Sequence, residues 1–146
     1  LEIYTSRDGE VIFKKYSPIG ELGSFAGQYG EVLYKTGGYP VVICDRDHVI
    51  SVAAISKKEL SERRVSASLE DMIENRKSYA YTGTEKKLQP VEGMELFSLV
   101  QAPIIAAGDV CGSIMYLMNK PTDTAGETEV KLIAAAASFL GKQMEE

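Results

Sequence analysis

With 146 residues, 45% of them hydrophobic and 25% charged, the chain has the composition of a folded protein with one core-forming domain and an appendage. Its 16 Lys and Arg against 21 Asp and Glu leave a net charge of -5, so nothing draws it as a whole toward phosphate backbones, and DNA binding by these residues alone is not expected. Two cysteines far apart and a single histidine cannot supply a four-ligand zinc site, and no apolar run reaches the length of a membrane span or signal peptide; the expectation is a cytoplasmic protein with no metal and no cofactor.

The chain opens LEIYTSRDGEVIFKKYSP. Leu1 and Ile3 share one face of a strand, Val11 and Phe13 share one face of the next, and Asp8-Gly9 supplies the positive-φ positions of a tight turn, which predicts a hairpin. Two strands alone cannot bury an apolar face, so this hairpin calls for a partner from elsewhere. Ser17-Pro18 is a good helix start, and Ile19, Leu22, Phe25, Ala26, Tyr29, Val32 and Leu33 recur at helical spacing up to Gly37-Gly38. Gly20, Gly23, Gly27 and Gly30 lie inside that helix, each costing about 1 kcal/mol relative to Ala. Gly23, Gly27 and Gly30 fall on one side, which predicts a close-packed partner there; the alternative is a loose or broken helix.

In YPVVICDRDHVISVAAIS, two β-rich runs flank Asp45-Arg46-Asp47, predicting a second hairpin. Residues 57–75 suit one or two short helices crossing a sheet, and 77–93 are mixed. FSLVQAPIIAAGDVCGSIMYLM holds two long β-compatible runs joined at Ala107-Gly108-Asp109, expected as the central antiparallel pair. A final helix from about Gly126 to Met144 opens with acidic residues that suit its dipole. Its apolar band covers more than half the circumference, wider than one sheet requires, so a second partner is expected, most simply another helix. Ala134, Ala137 and Gly141 make a small-residue groove fitted to the Gly-rich first helix or its symmetry mate. Homo-oligomerisation through the N- and C-terminal helices follows as an expectation, two-fold dimers being the commonest assemblies.

PVVICDRDHVI, then VQAPIIAAGDVCGSI with Ala102-Pro103-Ile104 and Cys111-Gly112-Ser113-Ile114, then Asn119-Lys120 and a long terminal helix, resemble the GAF domain, a small-molecule-sensing module. LEIYTSRDGEVIFKKYSP resembles the closing hairpin of an AbrB-like swapped-hairpin DNA-binding domain. The two in this order resemble the stage V sporulation protein T family of transcription regulators. The resemblance implies an α+β fold: a GAF-like antiparallel sheet flanked by N- and C-terminal helices, preceded by a β-hairpin left from a swapped-hairpin domain. Its divisions would be 1–16 for the hairpin of a truncated AbrB-like domain, 17–36 for a linker helix and 37–146 for a GAF-like sensor. DNA would be met only through a missing Arg-rich N-terminal segment, and the hairpin, cut from its partner strands, is expected to be disordered or non-natively paired.

The implied role is regulatory rather than enzymatic: a sporulation regulator's sensing and oligomerisation domain, coupling the state of a pocket to DNA-binding heads. The alternative is a ligand-free oligomerisation scaffold. Asn119-Lys120 is followed by Pro121 and lacks the rest of the cyclic-nucleotide motif, which reads as a polar strand exit. Some GAF proteins reduce methionine sulfoxide, but Cys44 and Cys111 sit in apolar strand sequence, which suits packing rather than a reactive thiolate. Asp45, Arg46, Asp47 and His48 read as a solvated turn. The resemblance implies a pocket for an unknown small molecule between the sheet and residues 57–81, with Ser56, Arg76, Ser78, Tyr79, Tyr81 and Gln101 as candidate lining; the other possibility is that side chains fill it.

Overall fold

A computed structural model describes residues 3–5, 11–13 and 23–145, with side chains from residue 25 onward. β1 (Ile3–Thr5) pairs antiparallel with β2 (Val11–Phe13), Ile3 opposite Phe13. The predicted turn at Asp8-Gly9 and the helix start at Ser17-Pro18 lie outside the described residues. α1 spans Gly23–Gly37. There follow β3 (Val41–Cys44), β4 (Val49–Ala53), α2 (Lys57–Leu60), α3 (Ala67–Glu74), β5 (Tyr79–Ala80), β6 (Ser98–Ala106), β7 (Asp109–Leu117) and α4 (Glu127–Met144).

β3 to β7 form one five-stranded antiparallel sheet in the order β4-β3-β7-β6-β5. The long apolar runs are its centre, as their composition predicts for strands covered on both faces. Ala107 (φ 51) and Gly108 (φ 85) turn β6 into β7, both in the left-handed region that a tight hairpin demands.

Alternation along the strands sends side chains to two cores. Val41, Ile43, Ile104, Ile114 and Tyr116 join Leu33 of α1 and Ile133, Ala136 and Leu140 of α4. On the opposite face, Val42, Cys44, Met115 and Leu117 pack with Leu60 of α2 and with Leu69 and Ile73 of α3. The short helices are capped by their own sequence, Ser56 accepting from Glu59 N at 3.3 Å and Ser66 from Leu69 N at 3.1 Å. At the start of α4, Gly126 N donates to Glu129 Oε1 at 2.7 Å.

The two terminal helices do meet, though not through their small residues. A Cβ on Gly27 would lie 3.5 Å from Ser51 Oγ, and one on Gly30 would lie 3.5 Å from Ala53 Cβ, so these glycines of α1 face the β4 edge of the sheet. Gly141 of α4 rests on β6, where a Cβ would come within 2.2 Å of the Ile105 carbonyl oxygen. The helix-to-helix contact is aromatic instead. The Phe139 ring stacks on Tyr29 at 5.1 Å and on Phe25 at 5.8 Å. The wide band on α4 thus has two partners, sheet and helix, with the flanks exchanged relative to the expectation. Among the described residues, no helix is long and apolar enough to cross a membrane.

Candidate functional site

The six residues singled out in the sequence fall into two groups. Ser78 and Tyr79 lie at the short edge strand β5, and Tyr79 pairs across to Gln101 on β6. These three border a cavity of about 190 Å³ between the β5–β6 edge and α4, which abuts a second of about 290 Å³; Ser78, Ala102 and Ala134 line both. The other three are engaged elsewhere. Ser56 caps α2, Arg76 Nη2 donates to the Gly108 carbonyl of the β6–β7 turn at 2.6 Å, and Tyr81 Oη donates to Gly83 O at 3.4 Å.

Gln101 is fully buried and belongs to a cluster that the sequence reading only partly found. Ser98, Gln101 and Ser113 are the buried polar side chains of the described residues, all at 0% exposure. Their cross-strand partners are Leu117, Met115 and Cys44, all members of the core on the α2–α3 face. Because directly paired residues share a face, the three polar side chains stand on that face too. Gln101 Nε2 donates to Ser113 Oγ at 2.8 Å, and Ser113 Oγ donates to the Ala102 carbonyl at 3.1 Å. Gln101 Oε1 and Ser98 Oγ are buried without a protein partner. Ser98 escaped notice because a bulge between Ser98 and Val100 breaks the period-2 pattern that would have assigned its face.

Around them the wall is apolar: Leu60, Val65, Leu69, Ile73, Leu88 and Val91 pack on the ground where the pocket was expected. Tyr79 packs at its margin, its hydroxyl donating to Lys86 O at 2.7 Å, and burial pushes its pKa up. The α2–α3 face thus combines an apolar wall with a few buried neutral hydrogen-bonding groups.

The thiols fit no catalytic geometry. Cys44 is fully buried, its Sγ donates toward Ser113 O at 3.7 Å, and burial drives its pKa far above that of an ordinary thiol. Cys111 is half-buried and is also shifted up by burial. At the β3–β4 turn, Asp45 Oδ1 accepts from Asp47 N and His48 N at 2.9 and 2.7 Å, and His48 Nδ1 meets Asp47 Oδ1 at 2.7 Å. The turn is partly exposed, as a solvated turn should be, and although carboxylate and imidazole atoms of Asp45, Asp47 and His48 lie within 4.8 Å of one another, its hydrogen bonds are those of a self-closing Asx turn.

Comparison with known proteins gives the arrangement a context. Residues 21–145 match the family described as stage V sporulation protein T C-terminal, transcription factor. The chain is 43% identical over 148 aligned positions to stage V sporulation protein T of Bacillus subtilis (strain 168), covering 100% of this chain and 82% of the relative. In structure it is similar to the cofactor-binding GAF domain of the nutrient sensor CodY from Clostridium difficile, with a TM-score of 0.56, 9% identity, and 81% and 83% of the two chains covered. A GAF domain/HD domain protein from Geobacter sulfurreducens aligns with a TM-score of 0.59 at 12% identity, over 90% and 99% of the chains. A type II free methionine-R-sulfoxide reductase from Thermoplasma acidophilum aligns at 0.61 and 11%, over 86% and 94%. At such identities the structural neighbours speak for the fold alone. The sequence match carries the assignment: the chain belongs to the stage V sporulation protein T C-terminal family of transcription factors, and its fold is GAF-like.

Proposed function

We infer that this domain is the small-molecule-sensing and oligomerising part of a cytoplasmic, non-enzymatic transcription regulator. The observation that carries the reading is the cluster of Ser98, Gln101 and Ser113 on the α2–α3 face, with two buried oxygens that no protein group satisfies. A core has no use for such atoms, because an unpaired buried polar group costs about 1–3 kcal/mol. A ligand that supplied the missing partners would recover that cost. Of the six candidates, Gln101 and Tyr79 then belong to the site, Ser78 lines the cavities on the α4 side of the sheet, and Ser56, Arg76 and Tyr81 shape the neighbouring elements.

Coupling runs through the sheet. Tyr116 stands next to Met115 on β7 but on the other face, and its hydroxyl donates to the Leu33 carbonyl of α1 at 2.7 Å. Gly37 of α1 lies against the same ring. A ligand that shifted β6 and β7 would move the anchor of α1 and, through it, the part of the chain that precedes α1, β1 and β2 included. It can do so only if it binds one arrangement more tightly than the other. Val32, 61% exposed, and Phe139, 40% exposed, leave an apolar surface on α1 and α4 for a second copy of the chain.

A second reading has its own support. The α2–α3 face is already well packed, so the domain would also serve as a ligand-free scaffold that sets the spacing of DNA-binding heads. Native mass spectrometry of the full-length protein purified from its own host separates the two. Release of a stoichiometric small molecule on mild denaturation is the expected result; an intact oligomer that releases nothing would establish the scaffold.

A further inference from the structure

We propose that the trough between α4 and the β5–β6 edge binds a small monocarboxylate with an unbranched apolar tail, of the length of octanoate or decanoate. It lies on the α4 side of the sheet, so it stands or falls independently of the cluster on the α2–α3 face. The room is there: two abutting cavities of about 190 and 290 Å³ share Ser78, Ala102 and Ala134. Each has one exposed large hydrophobic side chain in its lining, Val130 (39% exposed) in the smaller and Ile105 (37%) in the larger. Between them the trough is walled by alanines, which end at Cβ and leave a channel running along the helix.

The two cavities differ in chemistry. The smaller is lined mainly by apolar groups, Ala80, Val100 and Val130 among them, whereas the larger holds Ser138, Lys142 and Glu145. Glu145 spends Oε2 on the Ala107 N–H at 2.9 Å, and its Oε1 lies 3.8 Å from Lys142 Nζ, too far for a hydrogen bond. The ammonium therefore keeps its donors. Among the described residues, neither the Ser78 nor the Ser138 hydroxyl has a hydrogen-bond partner. One cation and two hydroxyls converging at one end match a carboxylate head carrying a single negative charge, while a second charge, as on a phosphate, would be turned toward Glu145. The tail then runs past Ala134 into the apolar cavity. From Ser138 to Val130 the helix rises about 12 Å at 1.5 Å per residue, which sets the length of the chain it can cover. An extended peptide is a poorer occupant, because Pro103 offers no N–H and the Ala107 N–H is already taken.

The test titrates four probes into the ¹⁵N-labelled 146-residue chain: octanoate, its branched isomer 2-propylpentanoate, octan-1-ol and octylamine. Octanoate is expected to shift the amides of Ala80, Ala102, Ala134 and Ser138 and to bind at least about fivefold more tightly than each of the others. Ala134→Leu, at an exposed position, fills the trough and is expected to weaken octanoate at least about tenfold. Lys142→Gln should bring octanoate down to the level of octan-1-ol. Should Ala134→Leu fail to fold, Lys142→Gln and the ranking of probes decide. Octylamine or octan-1-ol binding as well as octanoate would overturn the carboxylate head, and 2-propylpentanoate binding as well would overturn the unbranched tail. Shifts confined to Val32 and Phe139 would mean adsorption on the apolar surface of α1 and α4, and the proposal falls, as it does if octanoate shifts nothing. The sensing reading on the α2–α3 face is judged separately, by what the host protein releases in the mass spectrometer.

Discussion

Cys44 shows how burial turns one side chain into a pH-dependent element of stability. Its thiol is completely enclosed, and the cost of burying a thiolate, reinforced by Asp45, holds the proton on. In the unfolded chain the same thiol ionises at about pH 8.5. Above that pH the unfolded state binds fewer protons than the folded one, so stability is complete below it and declines as pH rises, by about 1.4 kcal/mol per unit from this group. Tyr116, pushed up to about 12 mainly by burial, joins at more alkaline pH with the same sign. Urea midpoints measured from pH 8 to 10 should fall steeply in the wild type and distinctly less in Cys44→Ala, whatever that variant's lower starting stability. Equal slopes would refute the assignment. Glu85 works in the opposite direction: hydrogen bonds from the Thr82 hydroxyl and N–H pull it down to about 2, so what it contributes is lost only as pH falls toward that value.

At the scale of elements, the glycines separate two roles that look alike in the sequence. Gly27 and Gly30 of α1 leave room for a methyl group at ordinary contact distance, so they weaken the helix without being needed for its packing. Gly27→Ala should gain up to about 1 kcal/mol from helix propensity, or about 2–4 °C in a thermal melt. Gly141 and Gly112 face backbone at 2.2 and 2.0 Å, atoms that cannot move aside without opening α4 from β6 or β7 from β3. Gly141→Ala should therefore destabilise by about 1–3 kcal/mol or more. A melt in which Gly27→Ala and Gly141→Ala moved in the same direction would contradict this division. The same close approach bears on how the β6 edge beyond β5 avoids pairing with other chains. Pro103 lacks an N–H, Gly141 of α4 sits against the Ile105 backbone, and Ala107 N is held by Glu145 Oε2 at 2.9 Å.

For the whole molecule, the proposed two-fold association makes a direct prediction. Val32 lies on α1 with 61% of its surface exposed, so the fold does not depend on it, whereas a dimer closed over α1 and α4 would bury it. The wild-type chain should sediment as an oligomer at micromolar concentration, and Val32→Glu as a monomer with unchanged circular dichroism. A monomeric wild type would remove oligomerisation through these helices. Ligand sensing and assembly are thereby open to separate tests, because Gln101 and Val32 lie on opposite sides of the sheet: Gln101 pairs with Met115 of the α2–α3 core, while Val32 belongs to the helix packed on the other face.

Periodicity and turn chemistry in the sequence were enough to determine the two central strands, the hairpin before them, a helical character for residues 57–75 and the extent of α4, but not whether 57–75 held one helix or two, nor the short β5 inside the mixed stretch 77–93. These signals are local, carried by spacings of two or three to four residues and by Gly, Pro and Ser at element ends. The resemblance of the chain to its family added the GAF-like architecture. Tertiary structure alone decided which flank of α4 met the sheet and which met α1, because that depends on where Gly141 and Phe139 find partners in elements distant along the chain. It also decided the candidate site. Gln101 could be suspected as a polar residue in a core strand, but its grouping with Ser98 and Ser113 depends on cross-strand register and a bulge. No local pattern records which buried oxygen has gone without a donor, since a hydrogen bond between strands is a property of two segments brought together by the fold.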